Sequence, residues 1–191
     1  MSLKTRIILV RHGPSIHAGA PGLMSRNDAQ QWLDTYDTVG IRPDAEPPAS
    51  LMDLARNATH IIASDLPRAI ESAARLARGR EIGVSSLLRE SKLPVPQWPA
   101  RMPFVAWGLA VHTAWILRIT RGVDVTESER ARAAESIDWL TRLVGDSSVA
   151  VVVTHGVFRR MLASELIRRG WSNTGRRGGY RHWSSWSFSR D

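Results

Sequence analysis

Two histidines, two arginines and one glutamate stand at or just beyond short apolar runs and have the chemistry of phosphoryl transfer. They are Arg11, His12, Arg68, Glu90 and His155. A neutral imidazole can attack phosphorus, and planar guanidinium groups bind phosphate oxygens in pairs. A carboxylic acid can supply the proton that a leaving alkoxide needs. The set therefore indicates a site for a phosphate ester.

The apolar runs predict four buried strands that would position these side chains. The runs cover residues 7–10, 60–63, 82–85 and 149–154. Helical patterns alternate with them, which is typical of a largely parallel sheet covered on both faces. Ligands bind beyond the carboxyl ends of the strands in such sheets. We therefore expect the five side chains to converge at one edge.

Three helical patterns have clear ends. They cover residues 67–78, 126–144 and 157–169, and each is followed closely by a glycine, which favours a helix stop. Asp65 is the predicted N-cap of the first helix. Arg68 falls in the first turn of that helix, where the helix dipole disfavours a cation, and this local cost favours an anion nearby. The third helix begins after Gly156, and its N-terminal N–H groups are expected to add to the anion site.

The remaining segments are less regular. Residues 175–179 are predicted as a loop and residues 180–188 as a closing strand. Four prolines and an apolar stretch predict an insertion at about residues 91–122. This insertion is expected to pack over another part of the protein.

The predicted fold class is α/β, a three-layer sandwich with a mostly parallel central sheet flanked by helices. The length of 191 residues favours a single domain over residues 1–191. Apolar residues make up 43% and charged residues 23%, which argues against a disordered or fibrous chain.

The charge balance and the cysteine count restrict partners and chemistry. A formal charge of +8 favours anionic partners. The absence of cysteine excludes disulfides and thiolate chemistry. The apolar run at residues 7–10 is too short for a signal-peptide core, so the expected location is cytoplasmic.

Residues 104–117 are almost free of polar side chains, but the run is shorter than a membrane span requires. We predict a packed helix. Attachment to a membrane surface is the alternative, because Trp107, Trp115, Arg118 and Arg121 give the segment interfacial character.

Four motifs in order resemble the histidine phosphatase superfamily, the phosphoglycerate mutase-like enzymes. They are Arg-His-Gly at 11–13, SDLPRAIESA at 64–73, Leu-Arg-Glu at 88–90 and Thr-His-Gly at 154–156. Together they lie within residues 7–160, most of the chain. Arg-His-Gly alone would be a weak signal, whereas four motifs in the family's order are a strong one.

The resemblance implies a role for each matching residue. His12 would carry the phosphoryl group and Glu90 would be the proton donor. Arg11, Arg68 and His155 would bind phosphate, helped by Ser15 and Gly156. The resemblance implies no metal and no organic cofactor.

The chain departs from the family pattern after Arg-His-Gly. It has Pro14, Ser15 and Ala18, where the family often has Glu or Gln, then Thr or Ser, and then Asn. Ser15 keeps the hydroxyl, but Ala18 removes an amide that commonly contacts phosphate. His17 is a candidate substitute.

Each candidate site residue could instead have a purely structural role. Taken alone, His12 or His155 could be a structural histidine at a strand end, and Glu90 a solvated charge. Arg89 is predicted to be a surface residue, and His60, His112 and His182 to be structural or exposed. The basic, tryptophan-rich C-terminal region is interpreted as a solvated face with aromatic packing, so no nucleic acid is expected, although nucleic-acid binding is the alternative.

The sequence favours a phosphatase acting on a phosphorylated small molecule or phosphoprotein. Phosphoglycerate mutase-type transfer is one alternative, but it goes with longer chains and added lids. The other is a non-catalytic module that binds phospho-ligands at a membrane surface. Because the insertion at 91–122 has few charges, it is predicted to shape a partly apolar leaving-group pocket.

Overall fold

The central sheet has six strands, and four neighbouring strands in it are parallel. The computed structural model describes residues 4–20, 22–120, 125–146 and 148–190. In chain order the strands of this sheet are β1 (Thr5–Arg11), β3 (His60–Ser64), β4 (Gly83–Ser85), β6 (Val149–Thr154), β7 (Ser172–Arg177) and β8 (Ser185–Arg190). The order of these strands across the sheet is β4-β3-β6-β1-β8-β7. β8 runs antiparallel to β1, and β7 antiparallel to β8.

The four predicted strands are β1, β3, β4 and β6, and each lies within two residues of its predicted bounds. The two central ones, β1 and β6, are buried on both faces, which explains why they are apolar without alternation. Their register pairs Val10 with Val153 and Arg11 with Thr154. The residues that follow both strands are therefore brought side by side.

Helices cover both faces of the sheet. On one face, α5 (Val125–Val144) and α6 (Gly156–Arg168) pack against alternate strand residues such as Ile7, Leu9 and Val152. On the other, α2 (Ala49–Arg56) and α3 (Pro67–Ala77) pack against Ile8, Val10 and Val151. The predicted three-layer α/β architecture is confirmed.

The predicted cap of α3 is wrong. Leu66 occupies the N-cap position and makes no side-chain cap bond. Asp65 instead accepts two hydrogen bonds of 2.7 Å from Arg89. A bidentate ion pair with a guanidinium satisfies this carboxylate in place of the helix N–H groups. Arg89 is accordingly a surface residue, as predicted.

Two helices were not predicted. They are α1 (Arg26–Thr38) and α2. In α1 only Ala29 is fully buried, so the helix carries almost no apolar periodicity. Its start nevertheless has a signal, because Ser25 and Asp28 form a reciprocal capping box.

The C-terminal region is a hairpin rather than a loop followed by one strand. Residues 175–177 belong to β7, which is fully exposed and polar, so the prediction of a loop there is wrong. β8 starts at Ser185, and Tyr180 precedes it in the turn. On this hairpin the guanidinium of Arg176 lies over Trp186 and that of Arg190 over Trp171.

The insertion forms a separate layer beside the sheet. After an irregular proline-rich stretch, β5 (Met102–Pro103) pairs with β2 (Leu23–Met24), and α4 (Phe104–Thr120) follows. α4 and α1 share a third apolar cluster with Met24, Val95 and Trp107 among its members. Arg121 and Gly122, at the predicted end of the insertion, lie outside the described residues. No helix in the described part of the chain is long and apolar enough to cross a membrane.

A tight contact ties the segment after β1 to the C-terminal hairpin. The backbone N–H of Trp183 donates to the carbonyl of Arg11, 3.1 Å away. Trp183 has a positive φ of 61°, a left-handed conformation that costs a non-glycine residue about 1–2 kcal/mol. Its indole lies directly over Gly13. The turn beside His12 is therefore held in place by the last part of the chain.

We expect Gly13→Ala to destabilise the protein by about 1–3 kcal/mol, the usual effect of overpacking. The added Cβ would lie 2.4 Å from Cζ2 of Trp183, which is closer than atoms can approach. Urea unfolding measures the difference. Gly175→Ala is the matched control, because no heavy atom lies within 4 Å of its Cβ position. Equal stability of the two variants would contradict the packing argument.

Candidate active site

His12 and His155 lie together at the carboxyl edge of the sheet. Their ring centroids are 5.2 Å apart. Both residues follow paired, parallel strands, and the His12 N–H donates to the carbonyl of Thr154 at 3.0 Å. The sheet register thus places both imidazoles at the same edge, as the sequence predicts.

The His12 imidazole is neutral and has a fixed tautomer. Its Nδ1 lies 2.7 Å from the carbonyl oxygen of Gly13. Because a carbonyl can only accept, Nδ1 carries the proton and Nε2 keeps its lone pair. Burial lowers the pKa of His12 well below its usual range, and the nearby Arg68 guanidinium lowers it further. Nε2 is thus available as a nucleophile.

His155 is fully buried, and neither ring nitrogen has a hydrogen-bond partner among the described residues. Burial lowers its pKa well below the usual range, and His12 and Arg68 add to the effect. Buried polar groups are normally bonded, so an unpartnered pair of ring nitrogens beside two arginines indicates a place for an anion.

Arg11 and Arg68 bring positive charge to the same edge. Arg11 donates to the carbonyl of Tyr180 at 2.5 Å. Arg68 is fully buried and donates to the carbonyl of Tyr36 at 2.6 Å and to Oδ1 of Asp37 at 2.9 Å. In both arginines, Nε is buried and has no partner among the described residues. Each guanidinium therefore keeps a donor that an anion could use.

Glu90 occupies the N-terminus of α6. Its Oε1 accepts from the backbone N–H of Phe158 at 2.8 Å, and its Oε2 from that of Val157 at 3.1 Å. The expectation that these N–H groups bind the anion is therefore wrong, because a carboxylate already satisfies them. The helix positions Glu90 at the edge of the site instead.

Of the other residues predicted to contact phosphate, one lines the cavity and two do not. Gly156 lines the cavity, where a Cβ would lie 3.5 Å from the Arg11 guanidinium. Ser15 does not line it, and its hydroxyl donates to the carbonyl of Gly40 at 3.2 Å. His17 stacks on Trp32 with centroids 4.7 Å apart and is also outside the cavity lining. We keep Gly156 and leave Ser15 and His17 out of the proposed phosphate site, because their side chains are bonded or stacked elsewhere. His155 is also outside the lining, but we keep it because its ring nitrogens have no partner among the described residues and it lies against His12.

Sequence reasoning missed three site residues: Tyr36, Asp37 and His182. The Tyr36 ring lies 4.3 Å from the Arg68 guanidinium carbon, and burial raises its pKa. The His182 ring lies 5.2 Å from that of His12, and Nδ1 of His182 donates to the His12 carbonyl at 3.2 Å. Burial lowers the pKa of His182 to about 4. The sequence predicted a structural or exposed role for His182 and did not predict its contact with His12.

A cavity of about 870 Å³ opens at this edge. Arg11, His12, Arg68 and Glu90 line one part of it, and side chains of α1 and α4 line another. His112, predicted to be structural or exposed, is exposed and also lines the cavity. No group of three or more histidine or acidic side chains in the described ranges is placed to hold a metal ion.

The sequence matches a known protein family over most of its length. The profile of the histidine phosphatase superfamily (branch 1) matches residues 7–187. The chain belongs to this superfamily. No curated protein is similar enough in sequence to be matched to it.

Solved structures share the histidine phosphatase fold. The phosphoserine phosphatase of Entamoeba histolytica in complex with 3-phosphoglyceric acid has 16% identity and a TM-score of 0.55, covering 98% of each chain. A mutant of that phosphatase in complex with phosphoserine has 17% identity and a TM-score of 0.54, covering 86% of this chain and 80% of that one. A mycobacterial glucosyl-3-phosphoglycerate phosphatase with VO3 has 21% identity and a TM-score of 0.50, covering 85% and 80%.

We expect the free energy of unfolding of this superfamily member to decrease as the pH falls from 7.5 to 5. The folded-state pKa values of His12, His155 and His182 lie below the ordinary histidine value of about 6.5. The unfolded chain therefore binds more protons below pH 6.5, and linkage removes stability there. Urea unfolding at both pH values measures the slope.

The variant His182→Asn tests whether His182 contributes to this pH dependence of stability, because it removes a group whose folded pKa is about 4. Its stability should depend less steeply on pH across the same range. The range lies above the ordinary pKa values of Asp and Glu, about 4, so carboxylates contribute little there. Identical slopes for the wild type and the variant would be evidence against a buried neutral His182.

Proposed function

We propose that this protein hydrolyses phosphomonoesters through a phosphohistidine on His12, with Glu90 as the proton donor. The observation that carries the proposal is the state of His12, whose Nδ1 is bonded to Gly13 while Nε2 remains beside two arginines. Membership of the histidine phosphatase superfamily supports it. Relatives of the same fold hold phosphoserine and 3-phosphoglyceric acid.

In the first step, Nε2 of His12 attacks phosphorus and the P–O bond to the leaving group breaks. Both Glu90 oxygens accept backbone N–H bonds in the free protein, so the carboxyl group must take up a proton before this step. It then gives that proton to the leaving oxygen, which departs as an alcohol. Arg11, Arg68 and His155 bind the phosphoryl oxygens, where charge accumulates in the transition state. The Gly13 carbonyl stabilises the positive charge that develops on the imidazole.

In the second step, water attacks the phosphohistidine and the P–N bond breaks. The Glu90 carboxylate takes a proton from this water, so inorganic phosphate leaves and both residues return to their starting forms. A phosphoglycerate mutase would instead return the phosphoryl group to a sugar acid. A pure binding module would need neither a nucleophile nor a proton donor, and this argues for an enzyme.

His12→Ala is expected to reduce hydrolysis of p-nitrophenyl phosphate by at least about a thousandfold, because the nucleophile is lost. The assay measures release of inorganic phosphate without added metal. His60→Ala is the matched control, since His60 lies at the opposite end of β3. Acid-labile phosphate on the wild type after rapid quenching would identify the intermediate. Full activity of the His12 variant would end the proposal.

Glu90→Gln should slow the hydrolysis of an alkyl phosphate more than that of p-nitrophenyl phosphate. An alkoxide is a poor leaving group and needs the proton, whereas p-nitrophenolate needs it less, and general acid catalysis contributes about 10²–10⁴-fold. The glutamine can still accept from one backbone N–H of α6. The ratio of kcat for the two substrates measures the effect, and an equal loss on both would show that Glu90 is not the proton donor.

A further inference from the structure

The cavity is larger than a phosphate group requires, and its second part has a different character. The residues that would bind phosphate lie at one end of the 870 Å³ space. The other end is walled by apolar side chains of the small sheet, α1, the proline-rich segment and α4. These are Met24, Trp32, Leu33, Leu93, Phe104, Trp107 and Val111. We call this part the apolar chamber.

The polar atoms of the chamber's indoles are already bonded to backbone. Nε1 of Trp107 donates to the carbonyl of Met24 at 2.9 Å, and Nε1 of Trp32 donates to that of Gly19 at 3.0 Å. Trp107 and Val111 are buried and form the packed base of the chamber, whereas the half-buried side chains of Trp32, Leu33 and Phe104 expose the apolar faces that an occupant would touch. Neither indole presents an unsatisfied donor to that occupant.

Aromatic rings connect the chamber to the phosphate end without a gap. Tyr36 lies over the Arg68 guanidinium, and the Trp32 ring stacks on Tyr36 with centroids 5.0 Å apart. The Phe104 ring lies 4.7 Å from that of Trp32. A leaving group attached to a phosphate at Arg68 would pass directly onto these apolar faces.

The charged side chains that line the cavity beside the chamber are exposed to solvent. Asp34, Lys92 and His112 line the cavity and are exposed, whereas the apolar lining residues are buried or half-buried. The segment at 91–122, which contributes α4, has no acidic residue. Deep in the chamber, a hydroxylated or carboxylated leaving group would find few partners for its polar groups.

We propose that the substrates are phosphate monoesters of bulky apolar alcohols, such as long alkyl or isoprenoid alcohols, with the hydrocarbon in the apolar chamber. This inference rests on the proposed function, because it names the leaving group of the same reaction. The hydrocarbon lies along the Trp32 and Phe104 rings while the ester oxygen faces Glu90. Small polar esters such as phosphoserine make the phosphate contacts but leave the chamber empty.

The test compares ethyl, butyl, hexyl and octyl phosphate with phosphoserine, using release of inorganic phosphate below the micelle concentration. We expect kcat/KM to rise about fourfold with each methylene that the chamber buries, a factor based on the transfer free energy of a methylene. Phosphoserine should be hydrolysed more slowly than any alkyl ester longer than ethyl. A rate that is independent of chain length, or highest for phosphoserine, would overturn the inference.

Gly108→Phe tests the location. Gly108 lines the chamber on α4, and no heavy atom lies within 4 Å of the position that its Cβ would take. The ring should displace at least about two methylenes of the octyl chain and so lower the octyl-to-ethyl ratio of kcat/KM by about tenfold or more. Leu109→Phe is the matched control, because Leu109 is the next residue of α4 and is 70% exposed. This control should keep the wild-type ratio.

The outcomes separate the two proposals. No hydrolysis of any ester, including p-nitrophenyl phosphate, would contradict the proposed function itself. Hydrolysis without a chain-length effect would leave the function intact and contradict the apolar substrate class. A chain-length effect that Gly108→Phe does not change, or that Leu109→Phe changes equally, would place the hydrocarbon outside the chamber and overturn the assignment.

Discussion

Positive charge that is only partly matched by negative charge governs the site, because Arg68 pairs with Asp37 whereas Arg11 bonds to a backbone carbonyl. Arg11 and Arg68 converge with the three imidazoles of His12, His155 and His182, and protein atoms exclude most of the solvent. Each guanidinium bonds to a backbone carbonyl, and Arg68 also to Asp37, while the imidazoles stay neutral because protonation would add to the repulsion. A phosphate dianion would relieve this imbalance, so the same electrostatics that keep the His12 imidazole neutral would also attract the substrate that we propose.

The part of this arrangement that lies on the parallel strands could be predicted from sequence. β1 and β6 are buried on both faces, so they appear as uninterrupted apolar runs, and the residues after them must meet at one edge. His12 and His155 follow from that rule alone. Glu90 could be placed near the edge, but its exact partner could not, because its bond to α6 depends on how the chain turns after β4.

The missed residues come from elements whose pattern is weak. Tyr36 and Asp37 belong to α1, which buries few residues and packs on the insertion rather than on the sheet. The capping box at Ser25 could have revealed this helix. His182 lies in the turn between β7 and β8, and β7 has an exposed, glycine-containing sequence typical of a loop. No local pattern predicts that this turn returns to β1, since tertiary pairing with Arg11 determines it.

The turn between β7 and β8 is held by Arg159, a fully buried arginine that donates to the carbonyls of Ser184 and Gly179. Burial lowers its pKa to about 10. Because this turn supplies His182 and packs Trp183 on Gly13, the surroundings of His12 are complete only when β8 has paired with β1. During synthesis, a ribosome-bound chain that has exposed only residues 1–170 would already carry His12, Glu90 and His155. It would still lack the side chains of His182 and Trp183, which pack against His12 and Gly13. The surroundings of His12 would thus be completed only after the hairpin of β7 and β8 has left the exit tunnel and β8 has paired with β1.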